Sequence, residues 1–174
     1  MLDVAVAYNR YKFIGNEFLT WLWFIIDTNQ DYFKKIDQSI VALHIGNRIV
    51  LENNNNDSSE LITIKGDDAG LEEGILSLRK GAVVIEMNLI YKTENQNWKF
   101  SIKGESLSFS GLKPPETGPL ETKDDIEGLL LEKAYLFEKA IELTNCLFNF
   151  FLKLRVSLDW NKTILPEIRK WVEA

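Results

Sequence analysis

The chain has one cysteine, one histidine and four prolines in 174 residues. The single thiol, Cys146, excludes an internal disulfide framework and any zinc site built on paired cysteines. The single imidazole, His44, excludes a histidine-rich metal cage and leaves little for acid–base catalysis near neutral pH. Ten glycines and four prolines are too few for collagen-like or low-complexity architecture. The most hydrophobic run, Phe18 to Ile26, holds nine residues, whereas a bilayer span needs roughly 20. The start, Met1-Leu2-Asp3-Val4, lacks a basic region ahead of an apolar core, so no secretory signal is expected; with a free cysteine, this points to the cytoplasm. Neither glycine-rich phosphate loops nor the Gly-x-Ser-x-Gly elbow of hydrolases occurs. Positive charge is also in deficit. Lys and Arg number 20 against 26 Asp and Glu, a net −6, so the whole-molecule field does not attract nucleic acid or anionic lipid.

What is present is apolar and periodic. Hydrophobic residues make up 45% of the chain, enough for one domain with a real core. Residues 3 to 27 read as helix, apolar on nearly all sides: Ile14, Phe18, Trp21, Leu22 and Ile25 share one face, and Leu19, Trp23 and Ile26 make a second. Gly15-Asn16 is a candidate break. Residues 27 to 37 read as a polar connection. Val41, Leu43, Ile45, Ile49 and Leu51 then alternate with polar residues, interrupted by Gly46-Asn47, which reads as a hairpin dipeptide whose parity requires a bulge or a longer loop. Residues 53 to 58 read as a surface loop, and 61 to 65 as a further strand. Asp67 or Asp68 caps an expected helix to about residue 79, ended by Lys80-Gly81.

Val83, Ile85, Met87, Leu89 and Tyr91 alternate on the next strand, Trp98, Phe100 and Ile102 on the one after, and residues 107 to 110 suggest a short last strand. Ile62-Thr63-Ile64-Lys65-Gly66 is echoed by Phe100-Ser101-Ile102-Lys103-Gly104, a weak internal repeat. A Pro-rich linker over 114–120 separates this region, 1–113, from C-terminal helices over 121–174. The long helix from about Asp124, capped by it or by Thr122, carries two apolar stripes. Leu130, Ala134, Phe137, Ile141, Thr144, Phe148 and Phe151 form one, and Leu136, Ala140, Leu143, Leu147, Phe150 and Leu154 the other. Two stripes exceed what one partner helix needs. A last short helix follows Asp159-Trp160, with Ile168, Trp171 and Val172 inward. The expected class is a single α+β domain, 1–174. Its antiparallel sheet of about five to six strands packs against a buried N-terminal helix and a long C-terminal helix.

Candidate chemistry is sparse. His44 lies in a strand with no nucleophile motif nearby, and Cys146 sits among apolar stripes, so neither is expected to be catalytic. The acidic pairs Asp67-Asp68, Glu72-Glu73 and Asp124-Asp125 stand at helix starts, where carboxylates serve as caps rather than metal ligands. No enzyme activity, cofactor or metal is expected. Lys65, Lys92, Lys99 and Lys103 recur on polar strand faces, and Arg79-Lys80 ends a helix; together they are the candidate DNA-contacting residues. Glu86 on the same face weakens that field. Trp21, Trp23, Phe24, Phe148, Phe150 and Phe151 exceed what a small sheet can cover and are the candidate self-association surface.

The segment Phe13-Ile14-Gly15-Asn16-Glu17-Phe18-Leu19-Thr20-Trp21-Leu22-Trp23-Phe24 resembles a signature in the C-terminal part of the recombination-associated protein RdgC family, in its longer, divergent members. Arg48-Ile49-Val50-Leu51-Glu52, the helix over 71–81, Gly104-Glu105-Ser106-Leu107, Leu112-Lys113-Pro114-Pro115 and Trp171 resemble later parts of that region, in order. The resemblance implies a non-enzymatic, sequence-independent binder of duplex DNA that forms ring-shaped dimers and restrains RecA-type filaments. An acidic chain suits such a ring when its hole is lined by Lys and Arg. Family members carry a substantial region before this signature, where this chain has about a dozen residues. The alternative expectation is therefore a structural or oligomerisation module without the DNA-contacting part.

Overall fold

In the computed structural model, which describes residues 12–55, 58–117 and 125–174, the alternating segments build one five-stranded antiparallel sheet. The order along the chain is α1 (Phe13–Thr28), a 3-10 helix (Gln30–Lys35), β1 (Ala42–Asn55), β2 (Ser58–Ile64), α2 (Asp68–Arg79), β3 (Val83–Lys92), β4 (Asn97–Lys103) and β5 (Ser108–Lys113). There follow α3 (Asp125–Arg155), a π turn (Trp160–Ile164) and α4 (Leu165–Glu173). Neighbouring strands run in the order β2-β1-β3-β4-β5. The class is α+β, as the periodicity predicts, with an N-terminal helix and a long C-terminal one. The expected helix before residue 12, Asn56-Asp57 of the expected loop, Gly118-Pro119 of the linker and the caps Thr122 and Asp124 lie outside the described residues.

Helix α1 is the centre of the core. Phe18, Leu19, Trp21, Leu22, Trp23, Phe24 and Ile25 are all buried, which its two apolar faces demand. It lies on the sheet face formed by Leu43, Ile49, Leu51, Val84, Met87, Leu89, Trp98, Phe100 and Ile102. One row, Ile64–Ile49–Met87–Ile102–Phe109, crosses all five strands in register. Helix α4 closes the other side of α1, with the Trp171 ring edge-on to Trp23 and its indole N–H donating to Asp27 at 2.7 Å. Arg155, at the end of α3, donates to the Glu17 carboxylate at 2.7 Å and so ties the two long helices together.

Several expectations need correcting. Gly15 does not break α1. A Cβ there would overlap the carbonyl oxygen of Gly104, so the glycine lets the helix start press onto the β4–β5 turn. Gly46-Asn47 is not a hairpin. β1 is a single strand of 14 residues, and Gly46, Asn47 and Arg48 bulge opposite Asn88. Asn88 fills the gap: its Oδ1 accepts from the Asn47 N–H at 3.2 Å, and its Nδ2 donates to Phe100 O and Ser101 Oγ. The hairpin lies further on, because β1 runs through Asn53 to Asn55 and β2 begins at Ser58, inside the expected loop. A second irregularity at Ile85 switches the parity of β3, so Val84 is buried and Val83 faces out. The expected polar connection after α1 contains the 3-10 helix, anchored by the buried Phe33. The two echoed glycines serve different contacts: Gly66 abuts the Gly46 carbonyl, whereas Gly104 abuts α1.

Helix ends follow local chemistry. Asp67 caps α2, its Oδ1 accepting from the Gly70 N–H at 2.9 Å. Gly81, at φ +93°, follows the helix as the left-handed residue that a β-carbon would strain.

Candidate functional site

Among the described residues the helices lie on one face of the sheet, and the other carries the exposed lysines, with Val50 buried near its middle. Along β4, buried Trp98, Phe100 and Ile102 alternate with exposed Lys99 and Lys103, with Ser101 half-buried between them. Along β3, exposed Lys92 and half-buried Glu86, Asn88 and Ile90 interleave with the core residues. Lys99 stands between Ile90 and Lys113, Lys103 between Glu86 and Ser108, and Lys92 between Ala42 and Asn97. Lys65 is exposed just past the end of β2. The open face thus brings Lys92, Lys99 and Lys103 together with one lysine that strand periodicity alone misses, Lys113.

It does not bring in Arg79 and Lys80. α2 packs on the core side, with Gly74 against Ile64 and Trp23, and Arg79 Nε donates to the Val172 carbonyl at 3.0 Å. That pair ends a helix in the helical layer and contributes nothing to the open face. Glu86, which weakens the field on this face, lies directly opposite Lys103 in the register.

The expected self-association surface is also corrected. Trp21, Trp23, Phe24 and Phe151 are buried within the chain's own core, and Phe148 and Phe150 are half-buried against it. Phe18, Trp21, Phe148, Phe150 and Phe151 form one aromatic cluster between α1 and α3, with ring centroids 5.2–6.3 Å apart. The helix-on-helix contact, not another subunit, covers them.

Single exposed hydrophobics such as Leu61, Val156 and Leu158 are scattered over the described residues, and a run of them lies on the first half of α3. Between residues 126 and 135 the only described side chain that is not exposed is Leu129, which is half-buried. Leu130 is 62% exposed and Leu131 67%, and Ile126, Tyr135, Phe137 and Ile141 are exposed with them. The first buried side chain is Leu136, whose backbone carbonyl accepts from the Trp98 indole N–H at 2.9 Å. From there Leu136, Ala140, Leu143, Leu147 and Phe151 pack inward. At 31 residues α3 is about 46 Å long, and the described side chains of its first ten or so residues are almost all exposed.

His44 is exposed on β1 opposite Ile90. Burial pushes the Cys146 thiol above its usual range, with Asp37 adding to the shift and Lys153 opposing it. Such a thiol is a poor nucleophile at neutral pH. Among the described residues no group of three or more His, Cys, Asp or Glu side chains is placed to hold a metal, and no helix is long and apolar enough to cross a membrane. Glu72 and Glu73 are exposed on α2. Compared with known protein families and with curated proteins, the chain matches none.

Proposed function

We propose that the chain is an assembly module in which two copies pair through the first half of α3. The observation that carries this reading is the stripe Leu130, Ala134, Phe137 and Ile141. It stands in solvent, while its continuation through Thr144, Phe148 and Phe151 packs inside the fold. A helix segment of this length has little stability without packing, and Gly128 lowers it further. Exposed apolar side chains grouped along one stretch of helix mark an interaction site on a soluble protein. A second copy presents the same stripe, and the 4, 3, 4 spacing is the one that interlocks helices side by side. Sedimentation equilibrium at tens of micromolar tests this: wild type sediments above monomer mass, and Leu130→Glu with Ile141→Glu sediments as monomer.

A second reading is non-enzymatic, sequence-independent binding of duplex DNA in association with recombination. It is supported by the placement of Lys92, Lys99, Lys103 and Lys113 on the sheet face opposite the described helices. The resemblance to the RdgC family adds a RecA-type recombinase as the partner whose filaments it would restrain. Binding of this kind comes from counterion release, so gel retardation should weaken steeply with salt. Lys99→Gln with Lys103→Gln should flatten the log–log salt slope by about 2. No retardation at low salt rejects this reading and leaves the first intact. Both readings take the chain to be cytoplasmic.

A further inference from the structure

We propose that the cleft between the β3–β4 turn and the end of β5 binds a small phosphate-bearing molecule, its phosphate held between Lys99 and Lys113. The cleft is open to solvent, has a volume of about 970 Å³, and is lined by Lys99 and Lys113, by the amides of Gln38, Asn95, Gln96 and Asn97, and by the rigid Pro114-Pro115.

The two lysines face each other because β5 is irregular. Ser101 pairs with Ser110, and the next same-face residue of β4, Lys99, pairs with Lys113. One residue of β4, Phe100, thus opposes two of β5, Gly111 and Leu112. Gly111 takes φ +60°, the left-handed conformation that glycine adopts at such a bulge. With regular pairing Leu112 would oppose Lys99, and Lys113 would turn to the core face beside Trp98. The bulge therefore turns Lys113 out to join Lys99. Like charges directly opposite on a sheet are destabilising, and neither lysine forms an ion pair among the described residues, although Glu94 and Glu116 stand on the same rim. A bulge that sets two lysines opposite each other on one wall of the cleft, neither of them ion-paired among the described residues, offers a dianion two cationic contacts. The surrounding amides offer donors and acceptors to the hydroxyls of a polar body. The cleft is bounded by a turn on one side and prolines on the other, which suits a compact ligand rather than a long polyanion.

The test is an NMR titration of the full chain at constant ionic strength, using ribose 5-phosphate, ribose, inorganic phosphate and a short DNA duplex in separate arms. Ribose 5-phosphate should give saturable shifts confined to residues 93–99 and 113–116, at lower concentration than inorganic phosphate, while ribose gives none. Lys99→Gln and Lys113→Gln should each weaken binding about tenfold or more. Lys113→Arg, which keeps the charge, should retain it. Because removing one of two facing like charges relieves repulsion, the melting temperature of Lys113→Gln should hold or rise, whereas a merely structural lysine would lower it. The proposal is overturned by an absence of saturation with either phosphate, by shifts that survive Lys113→Gln, or by shifts at these residues with the duplex alone.

Discussion

The two halves of α3 carry the same apolar spacing and meet opposite fates. From residue 136 on, one face of α3 lies against the fold, with Phe151 fully buried among Phe18, Trp21 and Trp160, while Phe137 and Ile141 stay exposed. Residues 126–135 carry Ile126, Leu129, Leu130, Leu131 and Tyr135, and all but Leu129 are exposed. Heptad-like periodicity sets which side chains share a face. It does not set how far the facing surface extends, which depends on the length of α1 and on where Trp98 docks. The difference shows that an apolar stripe longer than its intramolecular partner is a surface still to be covered.

Substitutions in the two halves sharpen that contrast. In dilute protein, Phe151→Ala should cost about 3–5 kcal/mol in urea unfolding, the usual loss for an emptied aromatic core position, and Leu130→Ala should stay within about 0.5 kcal/mol. Equal losses at the two positions would break the comparison. The junction of α1 with the β4–β5 turn gives the next largest effect. Gly15→Ala should gain about 1 kcal/mol of helix propensity and yet destabilise by roughly 1–3 kcal/mol, because the new methyl overlaps the Gly104 carbonyl. A stabilised variant would show that α1 and the turn are not pressed together.

Smaller effects report on the seam between α1 and α3. The Arg155–Glu17 pair is about one-third exposed on each side, so a double-mutant cycle should give a coupling below about 1 kcal/mol that fades with salt. Coupling that persists in high salt would mean the seam is drier than its exposure indicates. The smallest effect is at alkaline pH. Burial raises the Tyr91 phenol above its usual value, with the hydrogen bond shared with Ser39 partly opposing and Asp37 adding. The folded state therefore keeps a proton that the unfolded chain gives up near pH 10, and stability should fall as the pH rises through that range. Tyr91→Phe should blunt the fall.

Much of the fold is legible in the residues themselves. The alternation of Trp98, Phe100 and Ile102, the cap at Asp67 and the stop at Gly81 are local signals, and each appears where local chemistry puts it. Two of the departures depend on contacts distant in sequence. Gly46-Asn47 has hairpin chemistry but lies opposite Asn88, whose side chain supplies the hydrogen bond that a turn would have made. Gly15 has the composition of a break but is needed by a turn some ninety residues away. In the candidate site, Lys99 and Lys103 follow from period-two alternation. Lys113 does not, because the bulge at Gly111 reverses its parity. Arg79 reads as a basic helix end, yet its guanidinium is occupied by the last turn of α4. The aromatic residues Trp21, Trp23 and Phe151 look surplus only while the C-terminal helices are counted as partners of the sheet and not of α1.

The pairing of two copies through α3 is tested most directly by sedimentation equilibrium of the full chain across roughly 1–100 µM, a range that spans micromolar affinities. Wild type should pass from monomer toward twice the chain mass as concentration rises. Leu130→Glu with Ile141→Glu should stay monomeric with an unchanged circular dichroism spectrum. A wild-type chain that remains monomeric at the top of that range, or a charged variant that still dimerises, would contradict the account.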